Sequence, residues 1–320
     1  MKAIVYRTHG SADVLRYEEI EKPPPGDREV LLKVRAASLN PLDWRLIRGV
    51  PVLSLLIELG KEKLKRPGVD VAGEVEAVGR NVTRFKPGDE VFGACPGGFA
   101  EYACAKESGL AVKPDNVTFE QAACVGVAGL TALQGLRDKG KIRPGQKVLI
   151  NGASGGVGTF AVQIAKSLGA EVTGVCSGGN VDLVRSLGAD QVIDYTCEDF
   201  TRSGRRHDVI LDNVGNQPFS ACRRVLNPSG ILVNVGGPKS LLRIMTRILG
   251  ALVLSRFVSQ TIVVFMARMS SEDLGVLSDL MKAGKVTPVI DRQYKLSEIS
   301  EAMGYAEAGH ARGKVVVTVA

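Results

Sequence analysis

The 320-residue chain is poor in the residues that mark several common kinds of protein. It has six cysteines, three histidines and one tryptophan, and aromatic residues make up only 5% of it. Cys95, Cys104, Cys124, Cys176, Cys197 and Cys222 stand far apart, with no two at metal-knuckle spacing, so neither a disulfide scaffold nor a zinc ribbon is expected. They read as small buried apolar residues of a protein kept in a reducing cytoplasm. The opening MKAIVYRTHG lacks the apolar core of a secretory signal. The most apolar stretch, Leu241 to Ala267, is broken by Arg243, Arg247 and Arg256, so no charge-free run is long enough to span a membrane. That stretch is expected to cover a pocket or make a subunit contact, with peripheral membrane contact as the alternative.

A strong basic cluster with interleaved aromatics is also missing. The formal net charge is +7, but Lys and Arg are spread along the chain, and the densest group, TRSGRRHD (Thr201 to Asp208), is short. Nucleic acid is therefore not an expected partner, although a positive field would draw an anionic cofactor.

What the chain has is a change of rhythm. Up to about Val112, short β-like runs (KAIVY, EVLLKVRAAS, DVAGEVEAVG, DEVFGA, FAEYACA) are divided by Gly and Pro turns such as KPPPGD and FKPGDE. Between them PVLSLLIELGKEKLKRPG, apolar then basic, reads as an insertion and a candidate lid. After about Thr118, strand, glycine turn and helix repeat: KVLING before GTFAVQIAKSLGA, EVTGVCS before NVDLVRSLGAD, HDVILDNVG before FSACRRVLN, then GILVNVGG. This is the pattern of a doubly wound parallel sheet, so an α/β fold is expected. The tail adds helical SEDLGVLSDLMKAGK, a strand in VTPVIDRQYKL, a short helix and the strand GKVVVTV. The expected domains are 1–122 and 270–320, mostly β and joined in one substrate domain, with a dinucleotide domain over 123–269.

The segment VLINGASGGVGTFAVQIAKSLGA carries the clearest chemistry. Ala153, Ser154, Gly155, Gly156, Val157 and Gly158 follow the dinucleotide fingerprint, with alanine in place of its first glycine. Gly155 lets backbone amides approach a pyrophosphate, Gly158 lets helix and strand pack, and the helix N-terminus offers unpaired N–H groups and a positive dipole. About twenty residues on, NAD-preferring sites carry a carboxylate for the ribose hydroxyls. Here the place reads Ser177, Gly178, Gly179, Asn180. Serine would not repel a 2′-phosphate and the glycine amides could hold one, so NADPH is expected over NADH. The nearest base is Arg185.

These features, with AASLNPLDWRLIRG, PGVDVAGEVEAVGRNVTRFKPGDEVFG, GFAEYA, GLTAL, NGASGGVG, LGADQVIDY and GKVVVTV, resemble the medium-chain dehydrogenase/reductase superfamily. Within it they are similar to the zinc-independent quinone oxidoreductase group, over nearly the whole chain. The resemblance implies a GroES-like substrate domain built from both chain ends, a Rossmann domain between them, an active-site cleft where the two meet, and commonly a homodimer. Zinc-using relatives carry a cysteine in the first motif and Gly-His-Glu in the second, because catalytic zinc needs three N, S or O ligands. This chain has Asn40, Asp43 and GVDVAGE there, and His9, His207 and His310 match no ligand pattern, so no metal is expected.

Without a Lewis acid, reduction of an activated small-molecule acceptor is the expected chemistry. A quinone or α,β-unsaturated carbonyl needs ring alignment, exclusion of water and a donor to the developing oxyanion. Asn40 is the candidate donor through its side-chain amide, or else a turn residue ahead of Pro41. Asp43 is carried over as fixing the loop or cofactor, or else as a helix cap. Trp44 either stacks on a flat substrate or packs. Thr131 is carried over as a nicotinamide contact and Tyr195 as a flank of the adenosine phosphate. Backbone at Asn213, Val214, Gly236, Phe265 and Met266 is carried over as cofactor lining, with core or dimer packing as the rival for the last two. Lys314 is placed at the nicotinamide end or in solvent. The alternatives to quinone or enone reduction are a zinc-free alcohol or carbonyl dehydrogenase, and a cofactor-binding protein acting through RNA, membrane or protein partners.

Overall fold

The computed structural model describes residues 1–49, 64–236 and 259–319 of the chain. Most of the candidate lid and of the Leu241 to Ala267 stretch lies outside the described residues. The chain divides into two compact units, Met1–Leu130 with Met269–Ala320, and Thr131–Arg268.

In the first unit, β1 (Lys2–Val5) pairs with β2 (Arg16–Glu19). The ten-residue β3 (Glu29–Ser38) is the centre of a larger sheet and leads directly into α1 (Pro41–Ile47). Strands β4 (Asp70–Val78), β5 (Glu90–Ala94), β6 (Tyr102–Lys106) and β7 (Leu110–Val112) follow, then α2 (Phe119–Ala122) and α3 (Gly126–Gln134), which passes into the second unit at Thr131. One edge of β3 runs against β4 through two register shifts. The other edge is shared: its first half pairs with β6 and its last residues, Ala36 to Ser38, with the C-terminal strand. Alternation and β-branched content make these segments strands. Their apolar faces meet in a core that includes Ile4, Val30, Leu32, Val71, Val91, Phe99 and Val317.

The second unit is a parallel six-stranded sheet. Its elements alternate: β8 (Lys147–Asn151), α4 (Gly156–Ser167), β9 (Glu171–Cys176), α5 (Val181–Ser186), β10 (Gln191–Asp194), β11 (His207–Asp212), α6 (Phe219–Arg224), β12 (Leu226–Asn234) and β13 (Thr261–Val264). The spatial order β10-β9-β8-β11-β12-β13 reverses between β8 and β11, the arrangement that opens a dinucleotide crevice at the carboxyl ends of those strands. Thr261–Val264, read as part of the apolar covering stretch, is a sheet strand paired with β12.

After Arg268 the chain returns to the first unit as α7 (Ser271–Lys282), β14 (Ile290–Lys295), α8 (Ile299–Ala308) and β15 (Lys314–Thr318). β14 and β15 are parallel, with α8 as their crossover, and β15 delivers the C-terminal strand to β3. The C-terminal strands β14 and β15 therefore share one sheet with β3 to β7, while β1 and β2 pair separately.

Candidate active site

In the second unit the glycine turn joins β8 to α4. Gly152, just before the fingerprint, has φ of 79°, a left-handed conformation that glycine adopts without strain. It supplies the sharp turn that the alanine at 153 could not, and a Cβ on it would stand 2.7 Å from Val214 Cγ2. Gly158 is demanded by packing, because its Cβ would lie 2.0 Å from the Gly152 carbonyl oxygen. Gly155, the N-cap of α4, faces open space, where a Cβ would meet nothing nearer than the Gly152 oxygen at 3.5 Å. No side chain caps this helix, so its first N–H groups, with Ser154, Gly156 and Val157 half-buried around them, are turned to an anion or water.

The neighbouring strand ends complete this crevice. Asp212, at the end of β11, is buried and accepts from Asn151 Nδ2 at 2.8 Å, Gly215 N–H at 2.8 Å and Asn234 Nδ2 at 3.2 Å. This polar layer crosses β8, β11 and β12 and fixes the loop that carries Asn213 and Val214. Neither polar atom of the Asn213 side chain has a partner although both are buried. Gly236 belongs to the same floor, since a Cβ there would collide with the Asn213 carbonyl oxygen at 2.0 Å. Val214 is exposed. Unmatched buried amide atoms beside an uncapped helix end fit a dinucleotide, whose polar groups would satisfy them.

At the end of β9, Ser177 Oγ accepts from Asn180 Nδ2 at 2.9 Å, and Asn180 Oδ1 is buried without a partner. Gly179 is exposed. Gly178 is exposed as well, and the Asp194 carboxylate stands beside it. The Thr196 backbone and hydroxyl hold the Asp194 carboxyl below its ordinary range, with a smaller contribution from the Gly178 backbone. Tyr195, next in the chain, is 58% exposed, so it is not a core aromatic and its ring is open to stacking. Thr131 is buried, Phe265 is half-buried beside Gly135, and Met266 is 71% exposed.

In the first unit, the candidate catalytic residues lie where β3, α1, β4 and β15 converge. Lys314 Nζ donates to Asn40 Oδ1 at 2.7 Å and to the Leu39 carbonyl at 2.9 Å, and lies 3.5 Å from Asp70 Oδ2. Asn40 Nδ2 donates to Asp70 Oδ2 at 2.8 Å, while Asp70 Oδ1 accepts from the Val127 N–H at 2.8 Å. Two sequence expectations change here. The Asn40 amide, assigned to a substrate oxyanion, is 2% exposed and engaged inside the protein. Lys314 is 3% exposed and held by the same network, so of its two readings the solvent-facing one falls. Burial pushes the Asp70 carboxyl up, and Lys314 pulls it back down. Attraction between unit charges at this separation is about 5 kcal/mol at an effective dielectric of ~20, comparable to the several kcal/mol each ion loses on leaving water. The net effect leaves the Asp70 carboxyl above its ordinary value, with Lys314 and the hydrogen bonds from Asn40 and the Val127 N–H opposing the rise. Asp70 lies within PGVDVAGE, where the sequence gives no sign of this role, because its partner is distant in the chain.

Asp43 is the third residue of α1 and caps its start as the cap reading expected, with Oδ2 accepting from the N–H of the N-cap residue Asn40 at 2.7 Å. Its Oδ1 is buried and unpartnered. Burial pushes its carboxyl up to about 7, the Asn40 N–H lowers it, Asp70 raises it and Lys314 lowers it again. Asp43 also lines a cavity of about 470 Å³ within this unit, together with Tyr6, Leu42, Leu46, Arg66 and Cys95. That volume falls in the range of small-molecule pockets. Trp44 instead packs against the hydrophobic core. His207 is buried, with its ring pushed toward the neutral form by burial and Nδ1 3.2 Å from the Val225 carbonyl, and His310 is exposed. Among the described residues, no three His, Cys, Asp or Glu side chains are grouped to hold a metal ion.

Comparison with known proteins agrees with this architecture. Residues 26–115 match the alcohol dehydrogenase GroES-like domain, and residues 187–317 match the zinc-binding dehydrogenase model. The chloroplastic quinone-oxidoreductase QR1 of Triphysaria versicolor is 37% identical, over 99% of this chain and 98% of its own. The solved quinone oxidoreductase of Coxiella burnetii superposes with a TM-score of 0.89 at 31% identity, covering 100% of this chain and 99% of that one. Escherichia coli quinone oxidoreductase, solved in complex with NADPH, gives 0.84 at 25% identity, over 99% and 100%. The chain belongs to the medium-chain dehydrogenase/reductase superfamily, as an oxidoreductase of its quinone oxidoreductase-like branch.

Proposed function

We propose that the protein reduces a quinone or an α,β-unsaturated carbonyl at the expense of NADPH, without zinc. The observation that carries the reading is the uncapped glycine turn beside the unmatched Asn213 side chain, in a chain similar throughout to quinone oxidoreductases. The amides from Gly155 to Gly158 would hold the pyrophosphate, Tyr195 and the Ser177 to Asn180 turn the adenosine ribose, and Asn213 a further polar group. The bound dinucleotide supplies the hydride. The first unit supplies a mostly apolar cavity that limits water. Asn40 is a positioning residue in this scheme, since its backbone N–H fixes the Asp43 carboxylate while its side chain bridges Asp70 and Lys314.

The choice of NADPH is supported by Ser177 at the end of β9 and by the NADPH complex of the Escherichia coli relative; the Asp194 carboxylate weighs against it. The zinc-free reading is supported by the donors at the motif positions, where Asn40, Asp43 and Asp70 are committed to one another and to Lys314. A homodimer fits the exposed Val264 and Met266 at and just beyond β13, and a cytoplasmic setting fits six free cysteines.

The test follows nicotinamide absorbance with chelator-treated protein, offering NADPH and NADH with an ortho-quinone, an enone and a simple ketone. Rapid NADPH oxidation by quinone or enone and none by the ketone is expected. Turnover restricted to the ketone, or restored only by zinc, overturns the reading.

A further inference from the structure

The cavity in the first unit has one unusual wall residue. Arg66 is half-buried at its edge, and no acceptor or carboxylate among the described residues takes its guanidinium. Unmatched guanidinium groups are commonest in full solvent, where water serves them; a half-buried one on an apolar cavity loses part of that hydration without compensation.

Its position is built rather than loose. Tyr6 and Lys65 exchange backbone hydrogen bonds at 2.9 and 3.0 Å, which pins the chain one residue before Arg66. On the other side, Gly98 N–H reaches the Gly68 carbonyl at 3.1 Å and Cys95 N–H the Val69 carbonyl at 2.8 Å. The stem of Arg66 lies over Gly97, whose φ of 77° requires glycine and whose absent Cβ would stand 3.0 Å from Arg66 Cβ and 3.5 Å from its Nε.

Among the described residues of the wall, none neutralises the guanidinium. The Cys95 thiol is pushed up to about 12 by burial, although Arg66 itself draws it down, so it stays neutral. The one acid of the described lining, Asp43, has an oxygen tied to the Asn40 N–H and is held largely protonated below neutrality by burial. The adjacent cation, Lys65, is engaged by His9 Nε2 at 3.1 Å.

We propose that Arg66 anchors an anionic group of the acceptor, so that the cavity selects quinones or enones that carry a carboxylate, sulfonate or phosphate over their neutral counterparts. The proposal rests on the quinone or enone reading above and names its substrate class. A planar oxyanion group would satisfy the guanidinium fork while the apolar remainder fills the space beside Tyr6, Leu42 and Leu46.

The test compares ortho-naphthoquinone with its ring sulfonate, using NADPH, and takes the ratio of kcat/KM for the two. Comparing this ratio between wild type and Arg66→Gln cancels the difference in intrinsic reactivity of the quinones. Loss of a charge-assisted anchor should lower the ratio about tenfold to a hundredfold. Arg66→Lys should recover part of it, and rising salt should shrink the wild-type preference. Wild-type turnover of the neutral quinone with a ratio unchanged in Arg66→Gln overturns the anchor and leaves the reductase reading standing. If neither quinone is turned over, the reductase reading fails, and binding of the sulfonate followed by Trp44 fluorescence still decides the anchor. Weaker binding by about tenfold in Arg66→Gln supports it, and equal binding overturns it.

Discussion

Replacing Asp43 by asparagine should change how the stability of the first unit depends on pH. The Asp43 carboxyl moves from an ordinary value near 3.8 to about 7, chiefly because it is buried. The folded state therefore holds its proton more tightly than the unfolded state does. The resulting stabilisation is complete below the unfolded value and is lost as pH rises through the folded one. At about 1.4 kcal/mol per unit of displacement, this single group removes about 4 kcal/mol of stability between pH ~4 and ~8. The substituted side chain would keep an oxygen for the Asn40 N–H and would not ionise. Its amide nitrogen would occupy the place of the unpartnered Oδ1 and cost about 1–3 kcal/mol as a buried donor, a cost that does not vary with pH. The difference in unfolding free energy, wild type minus Asp43→Asn, should thus fall by about 4 kcal/mol across this range whatever its starting value. Urea titrations at several pH values, followed by the fluorescence of Trp44, the only tryptophan, read the unit that contains the substitution. A difference independent of pH would refute the assignment of a buried, proton-binding Asp43.

Two further outcomes test the two halves of the site. Gly158→Ala should abolish NADPH binding by fluorescence titration and lower stability, because the added Cβ would sit 2.0 Å from the Gly152 oxygen; normal binding would show that the turn can relax. Lys314→Met should cost about 3–5 kcal/mol in urea unfolding at neutral pH, since it strands Asp70 in the interior; a loss under about 1 kcal/mol would mean that Asp70 is already protonated there.

The fold was legible where the pattern is local. Alternating runs marked β3, β4 and β5, and the glycine turn marked α4, because side-chain period and backbone freedom act over a few residues. Gly158 was read for the reason it is needed. The turn's left-handed residue was not: it is Gly152, one place before the expected position, and only the strand exit angle reveals this. Asn40 looked like a free donor because nothing nearby in sequence competes for it. Its partners are Asp70 and Lys314, brought in by β4 and β15. The Asp212 layer was missed for the same reason, as each member ends a different strand. Arg66 lies within a basic run that reads as an insertion, and its lack of a partner among the described residues is a property of the folded wall alone.

The bond between Lys314 and Asn40 also sets an order for biosynthesis. The second unit is one continuous stretch, whole once Arg268 has emerged from the ribosome. The first unit begins earlier but cannot close, because Asp70 awaits an ammonium encoded 244 residues downstream. A nascent chain must carry an open sheet edge at β3 until β15 arrives, and truncation of the last few codons would trap it in that state.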